Sequence, residues 1–344
     1  MPRRLLTLIA YVVAALFVSI EWRGQAQTAS GPSEAELKAS FRRPSSIPFP
    51  DGEPLSQAKF NLGQMLFFDP ILSRSGSRSC ASCHNPGLSW GDGLAKPVGD
   101  LATPLPLRSP TLLNVAWLSR FGWDGKFTGL EEMTFVPIVG PMNMALDEQT
   151  AIDRLAANPG YRAAFTAAFG DGAITRERIE KAVGAYERTL VSADAPFDRW
   201  IKGNENAIDE PAKRGFALFT GSAGCVQCHS GWAFTDGSFH DIGVARGDDR
   251  GRGSLFPSSV KLQFAFKVPT LRDAARRGPY MHDGSIPTLQ AVIDLYDQGG
   301  IDRPSRSPSI KPLGLSPQQK SDLVAFLNTL TSPPSPVSVP ALPR

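Results

Sequence analysis

The sequence predicts an all-α chain, mostly helical and divided into two domains. Three observations carry this. Apolar residues recur at helical spacing in at least seven segments. No segment shows the strict alternation of a half-buried strand. The motif C-x-x-C-H occurs twice, as CASCH at Cys80 to His84 and CVQCH at Cys225 to His229, each time just after a helical segment. The chain of 344 residues, 42% of them hydrophobic, is long enough for one large or two ordinary domains.

Taken in order, the N-terminus reads MPRRLLTLIAYVVAALFVSIEWRGQAQ. Two arginines precede an uncharged run from Leu5 to Ile20, and small residues follow. Residues 1–26 are therefore expected to be a secretory signal peptide, which makes the mature protein periplasmic. Residues 27–54 are polar and Pro-rich, a loosely ordered lead. From Ser56 the stretch SQAKFNLGQMLFF places Phe60, Leu62, Leu66 and Phe67 at helical spacing. A Gly/Ser-rich loop then delivers CASCH, and Pro and Gly crowd residues 86–110. Helices are expected at 149–157, 160–169, 175–191 and 211–220. Thr175 serves as the third one's imperfect cap, with Arg178 three residues on. CVQCH follows, then a loop-rich region, then helices at 286–296 and 316–330. The first domain is expected at 50–195 and the second at 205–332, joined by a connector near 192–208. The Pro-rich tail 333–344 is expected to be disordered.

The formal net charge of +3 is too small to imply a nucleic-acid partner, and no long basic run occurs. All four cysteines fall in the two C-x-x-C-H motifs. This motif attaches c-type haem. Two thiols on one turn each add to a haem vinyl group, and the adjacent histidine gives the iron its proximal nitrogen. One copy alone would leave a zinc or redox site open; two copies, each followed by His, behind an export signal, point to two covalently bound c-type haems. Cys80, Cys83, Cys225 and Cys228 attach them, and His84 and His229 are the proximal ligands. The far side of each iron then decides function, because an open sixth position binds peroxide or oxygen and a filled one makes an electron carrier.

The strings LGQMLFFDPILSRSGSRSCASCHNP, SPTLLNVAW, GWDGK, YERTL, FTDGSFHDIGV and VPTLRDAARRGPYMHDGSIPTL resemble the bacterial di-haem cytochrome c peroxidases and the MauG proteins, from about Leu55 to Leu330. The resemblance implies two cytochrome c-like domains packed across an interface, with a peroxidatic N-terminal haem and an electron-collecting C-terminal one. It places Trp123, in the family's W-D-G-[RK] motif, between the haems; on its own residues the tryptophan reads more readily as packing. It makes Tyr296 the sixth ligand of the C-terminal haem, where MauG has Tyr and the peroxidases have Met. A phenolate stabilises ferric iron and lowers the potential. The removable loop histidine of many peroxidases is absent, since no histidine lies between His84 and His229.

Two departures bear on mechanism. Met133 stands where the family has Gln, and Asn143 where it has Glu. An amide hydrogen-bonds but cannot shuttle a proton, and a thioether is oxidisable. Acid–base help of this kind is worth roughly 10²–10⁴ in rate. Glu131 and Glu132 read as solvated charges; Met142 and Met144 read as packing rather than iron ligands. Family members often hold calcium through an Asn and two carbonyls. Here those positions match Arg108, Arg277 and Pro279, which makes calcium doubtful and suggests that the Arg108 guanidinium replaces the cation. His240 and His282 read as hydrogen-bonded structure.

The resemblance implies an oxidoreductase that reduces hydrogen peroxide with electrons from a small cytochrome or copper protein. The alternatives are a MauG-like oxidase acting on a partner protein, and a di-haem electron carrier or sensor. MauG carries a surface tryptophan before its second C-x-x-C-H, where this chain has Ala223. Membership of a homodimer is a family habit that no residue here tests.

Overall fold

The computed structural model describes residues 33–343, so the signal peptide expected at 1–26 lies outside the described residues. Among them are eleven α-helices. They are α1 (Glu34–Ser40), α2 (Gln57–Phe68), α3 (Cys80–Cys83), α4 (Phe135–Val139), α5 (Glu148–Ala157), α6 (Pro159–Phe169), α7 (Arg176–Arg188), α8 (Pro196–Ile201), α9 (Glu210–Thr220), α10 (Leu289–Gln298) and α11 (Pro317–Thr329). One antiparallel pair, β1 (Phe239–His240) with β2 (Phe266–Lys267), completes the regular structure. No helix among the described residues is long and apolar enough to cross a membrane.

The helices begin where the sequence supplies caps. Ser56, Asp147, Thr175, Asp209, Thr288 and Ser316 each accept a hydrogen bond from the first turn of the helix that follows. Thr175 caps α7 without the Glu or Gln that would close a capping box.

Each half is organised by one helix crossing. In the first, α2 crosses α7, and a β-carbon at Gly63 would overlap the Ala182 carbonyl and press on Tyr186. In the second, α9 crosses α11, and Gly215 stands in the same way against the Asp322 carbonyl and Phe326. The correspondence continues along the chain. Thr111 Oγ1 donates to the Ser89 carbonyl and Thr270 Oγ1 to that of Ala233. Asn114 and Asp273 both take left-handed backbone, and their amides donate to the carbonyls of Leu190 and Leu330. Their side chains bond Ser192 and Ser332 respectively. The two halves are thus one plan used twice. AYERTL (185–190) matches AFLNTL (325–330), and GWDG (122–125) matches MHDG (281–284).

Three expectations need correction. The lead at 27–54 is partly built: α1 has a full capping box, and Phe41 is buried in the second half's core, stacked on Phe234 at 4.7 Å. The connector contains α8, whose Phe197, Trp200 and Ile201 join that same core. Asp198 on α8 forms a buried ion pair with Arg272 at 2.7 Å. The tail expected to be disordered runs back along the first half instead. Val337 packs against its aromatic cluster, and the Ser338 and Pro343 carbonyls accept from Gln64 and Asn158. Proline removes the tail's own donors, but its carbonyls remain free to be used this way.

Loops join the halves. The Lys267 amide donates to the Trp123 carbonyl at 2.8 Å, the Arg108 amide to the His282 carbonyl at 2.9 Å, and Arg252 Nη1 to the Asp124 carbonyl at 2.7 Å.

Candidate functional site

The second C-x-x-C-H opens onto a cavity of about 390 Å³. Cys225, Cys228, His229 and Tyr296 all line it, together with Leu323 and Leu327 of α11. His229 Nδ1 donates to the Phe234 carbonyl at 2.9 Å. A carbonyl only accepts, so this bond fixes the tautomer and leaves Nε2 with a free lone pair. Phe234 holds left-handed backbone to present that carbonyl, a conformation rare outside glycine. Burial lowers the His229 pKa and so favours the neutral, ligating imidazole. Both thiols are free; burial pushes Cys225 up to about 12. Tyr296 projects from α10, and burial, then the two nearby thiols, raises its pKa. No hydrogen bond satisfies its hydroxyl among the described residues. The donor set, two thiols, a histidine nitrogen and a phenol oxygen lining one cavity, therefore fits a covalently held haem.

The first C-x-x-C-H repeats this geometry. His84 Nδ1 donates to the Trp90 carbonyl at 3.2 Å, and Trp90 is again left-handed. Burial likewise lowers the His84 pKa and pushes Cys80 up to about 12. Cys80 and Met133 pack against one aromatic cluster, built on Phe67, Trp90, Leu112 and Tyr186. The counterpart of Tyr296 differs. Tyr296 stands fourteen residues after His282; fourteen after Trp123 stands Pro137, on α4. A proline ring carries no atom that could ligate iron.

Trp123 connects the two sites physically. It sits on a short hairpin bridged at Phe121 and Phe127. Both phenylalanines pack in the first site's aromatic cluster, while Trp123 itself lines the second cavity. Its indole N–H donates to the Arg108 carbonyl at 2.8 Å, and its ring meets His282 edge-on at 6.4 Å.

Asn143 is half-buried on the turn after α4, its amide bonded to the Gly140 carbonyl and its side chain lying beside Gly140. Met144 belongs to the separate core under α5 and α6, and Met142 is 41% exposed, so both read as packing or surface. Glu131 is not a solvated charge: its carboxylate accepts from Arg188 Nε and Nη2 at 3.1 and 2.7 Å. The Arg108 guanidinium donates to the Arg277 carbonyl, one of the two expected. His240 Nε2 bonds Ser238 Oγ at 2.8 Å, and His282 Nε2 bonds Asp249 at 2.7 Å.

Sequence reasoning missed three features. Lys267 is half-buried near Trp123, its Nζ bonded to the Arg120 carbonyl, and desolvation lowers its pKa to about 8. Trp117 and Trp232, both lining the second cavity, meet edge-on at 4.7 Å. Glu187, next to Tyr186 on α7, is a buried carboxyl. Only Glu187 carried a signal: a charge on the apolar face of a helix.

Comparison with known proteins agrees with this arrangement. A family model described as di-haem cytochrome c peroxidase matches residues 57–206, and one described as cytochrome c matches 212–331. The chain is 51% identical to the methylamine utilization protein MauG of Methylorubrum extorquens, over 92% of this chain and 90% of that one. It is 36% identical to the cytochrome-c peroxidase IdrP1 of Pseudomonas sp. strain SCT, over 83% and 84%. The crystal structure of a MauG-like protein associated with microbial copper homeostasis superposes with a TM-score of 0.79 at 30% identity, covering 84% of this chain and 95% of that one. With two c-type haem sites on one repeated helical plan, the chain belongs to the family of di-haem cytochrome c peroxidases and MauG proteins and is an oxidoreductase.

Proposed function

We propose that the protein is a periplasmic peroxidase that reduces hydrogen peroxide at the N-terminal haem, with electrons from a small cytochrome or copper protein. Cys80 and Cys83 would attach the reactive haem and His84 would ligate its iron. Cys225 and Cys228 would attach the second haem, with His229 and Tyr296 as its iron ligands. Trp123 relays between them. One correspondence carries this reading: counted from the W-D-G and H-D-G motifs, Pro137 stands in the sequence where Tyr296 stands. The first haem would then keep a position open for peroxide, while the second, with Tyr296 as a ligand, would exchange electrons only.

When bound, the haems supply the redox chemistry. The chain's own residues do the rest. The Trp90 and Phe234 carbonyls hold the two proximal imidazoles in their ligating tautomer. The Trp123 indole donates to a carbonyl, which cannot take its proton. The relay therefore moves electrons without moving that proton. Met133 packs against the same cluster as Cys80 and adds an apolar side chain to it. Asn143 can orient a partner by hydrogen bonding but cannot supply a proton.

A second reading, a MauG-like oxidase acting on a partner protein, draws on Tyr296 and on the identity to MauG. Ala223 weighs against it. This residue is buried at the wall of the second cavity and offers no aromatic ring to pass a hole outward.

The test is steady-state oxidation of a reduced small cytochrome by hydrogen peroxide with the purified di-haem protein. Sustained turnover is expected. Negligible turnover, with partner-protein oxidation instead, would transfer the label to the second reading.

A further inference from the structure

The two halves differ at one buried position in a way that changes the chemistry available to the first site. In AFLNTL of α11, Leu327 lines the second cavity beside Leu323. In AYERTL of α7, the matching residue is Glu187. The helix crossings that orient these two residues are equivalent. Gly63 meets Ala182 and Tyr186 as Gly215 meets Asp322 and Phe326, and both helix ends are tied to the left-handed Asn114 and Asp273. Glu187 therefore stands at the first haem site where Leu327 stands at the second. Its neighbours agree: Tyr186 packs in the aromatic cluster that receives Cys80 and Met133.

We propose that Glu187 is the proton-relay residue of the N-terminal haem site, supplying from α7 the acid that Met133 and Asn143 cannot supply from the distal segment.

A buried carboxyl with no hydrogen-bond partner among the described residues is costly as an anion and stable as an acid. The charges facing it reinforce this. Burial comes first and the Glu131 carboxylate second, pushing Glu187 up to about 8 against a weaker opposing pull from Arg188. Arg188 is already engaged by Glu131, so it does not neutralise Glu187 directly. The Cys80 sulfur faces it from α3, and the Tyr186 phenol lies beside it on α7. The result is a group that holds a proton at neutral pH and can release it. Reducing hydrogen peroxide to two waters breaks one O–O bond and consumes two protons and two electrons. The electrons come from the small redox protein; Glu187 hands on the protons one at a time and is recharged from solvent.

What the proton is used for rests on the peroxidase reading; the placement of Glu187 does not. The experiment is a pH titration of the haem absorbance of the resting ferric holoprotein, alongside peroxide turnover. Wild type, Glu187→Gln, Glu187→Leu and Glu131→Gln are compared. Leucine is the residue that the same helix position carries in the second half, so this variant fills the buried position without a polar group to satisfy. The expected result is a spectral step near pH 8 in wild type, absent in both Glu187 variants and moved to lower pH in Glu131→Gln. Turnover should fall by about tenfold or more in both Glu187 variants, within the usual range for losing acid–base help. A step that survives in Glu187→Leu, or a wild type with no step, overturns the proposal. If wild type fails to turn over peroxide but shows the step, the peroxidase reading falls and Glu187 stands.

Discussion

The two halves of this molecule share a helix crossing, a proximal histidine clamp and a left-handed anchor residue, yet they differ at every position that decides what iron can do. The second half has Tyr296 and the α11 leucines Leu323 and Leu327 lining one cavity. The first has Pro137 and Met133 in the corresponding distal segment, and Glu187 on α7. The scaffold fixes where a haem is held; a handful of side chains then set whether it binds a substrate or only passes electrons. Gly63 and Gly215 hold the scaffold by letting one helix meet the backbone of another, which leaves no room for a side chain. The positions that set the chemistry face a cavity, where residues can be exchanged without moving a helix.

The comparison can be broken first at its shared element. Gly63→Val and Gly215→Val each force a side chain into a carbonyl at the helix crossing. Each should cost about 3 kcal/mol or more, read as a lower midpoint in chemical denaturation. Equal tolerance of both would mean the crossings are not close-packed.

Next come the positions that differ. Tyr296→Met should raise the second haem's potential by on the order of hundreds of millivolts, within the ~0.8 V that axial ligands span. Redox titration followed by absorbance measures this. Pro137→Met, made to copy the saturated site, should convert the first haem to low spin and abolish peroxide turnover. An unchanged spectrum would sever the correspondence between Pro137 and Tyr296.

A smaller effect belongs to Lys267. Its folded pKa, about 8, lies below the ordinary 10.5. Between those values the unfolded chain binds the proton that the folded chain has shed, so stability rises with pH across that window. Lys267→Met should flatten that rise in pH-dependent melting curves.

The smallest prediction concerns Arg108. Its guanidinium bonds the Arg277 carbonyl, where relatives place calcium. Metal analysis of wild type should find no stoichiometric calcium, and Arg108→Asn should make the melting temperature respond to added calcium. Stoichiometric calcium in wild type would remove the idea.

Much of this was legible in the sequence. C-x-x-C-H is a local motif whose chemistry is complete within five residues, so Cys80, His84, Cys225 and His229 could be assigned directly. The main helices showed in their apolar spacing and their Ser, Thr and Asp caps. Tyr296 was reached by counting within a resemblance, and it does line the cavity with His229. What escaped depends on contacts distant in sequence. Phe41 looked like part of a polar lead because its partner, Phe234, lies far along the chain. The tail looked disordered because its partners, Gln64 and Asn158, are in the other half. Glu187 sat inside a recognisable motif as one charge on an apolar face, and only the crossing of α2 with α7 reveals which face that is. Asn143 was paired with Met133 through the resemblance alone, which does not place a side chain; the turn after α4 sets it beside Gly140.

The most direct test of the central claim is electron paramagnetic resonance of the purified, fully ferric protein. The account predicts two signals of equal weight: one high-spin haem, from the site under Pro137, and one low-spin haem, from the site under Tyr296. Two low-spin signals would contradict it. The first site would then be closed, and the protein would be an electron carrier built on a peroxidase plan.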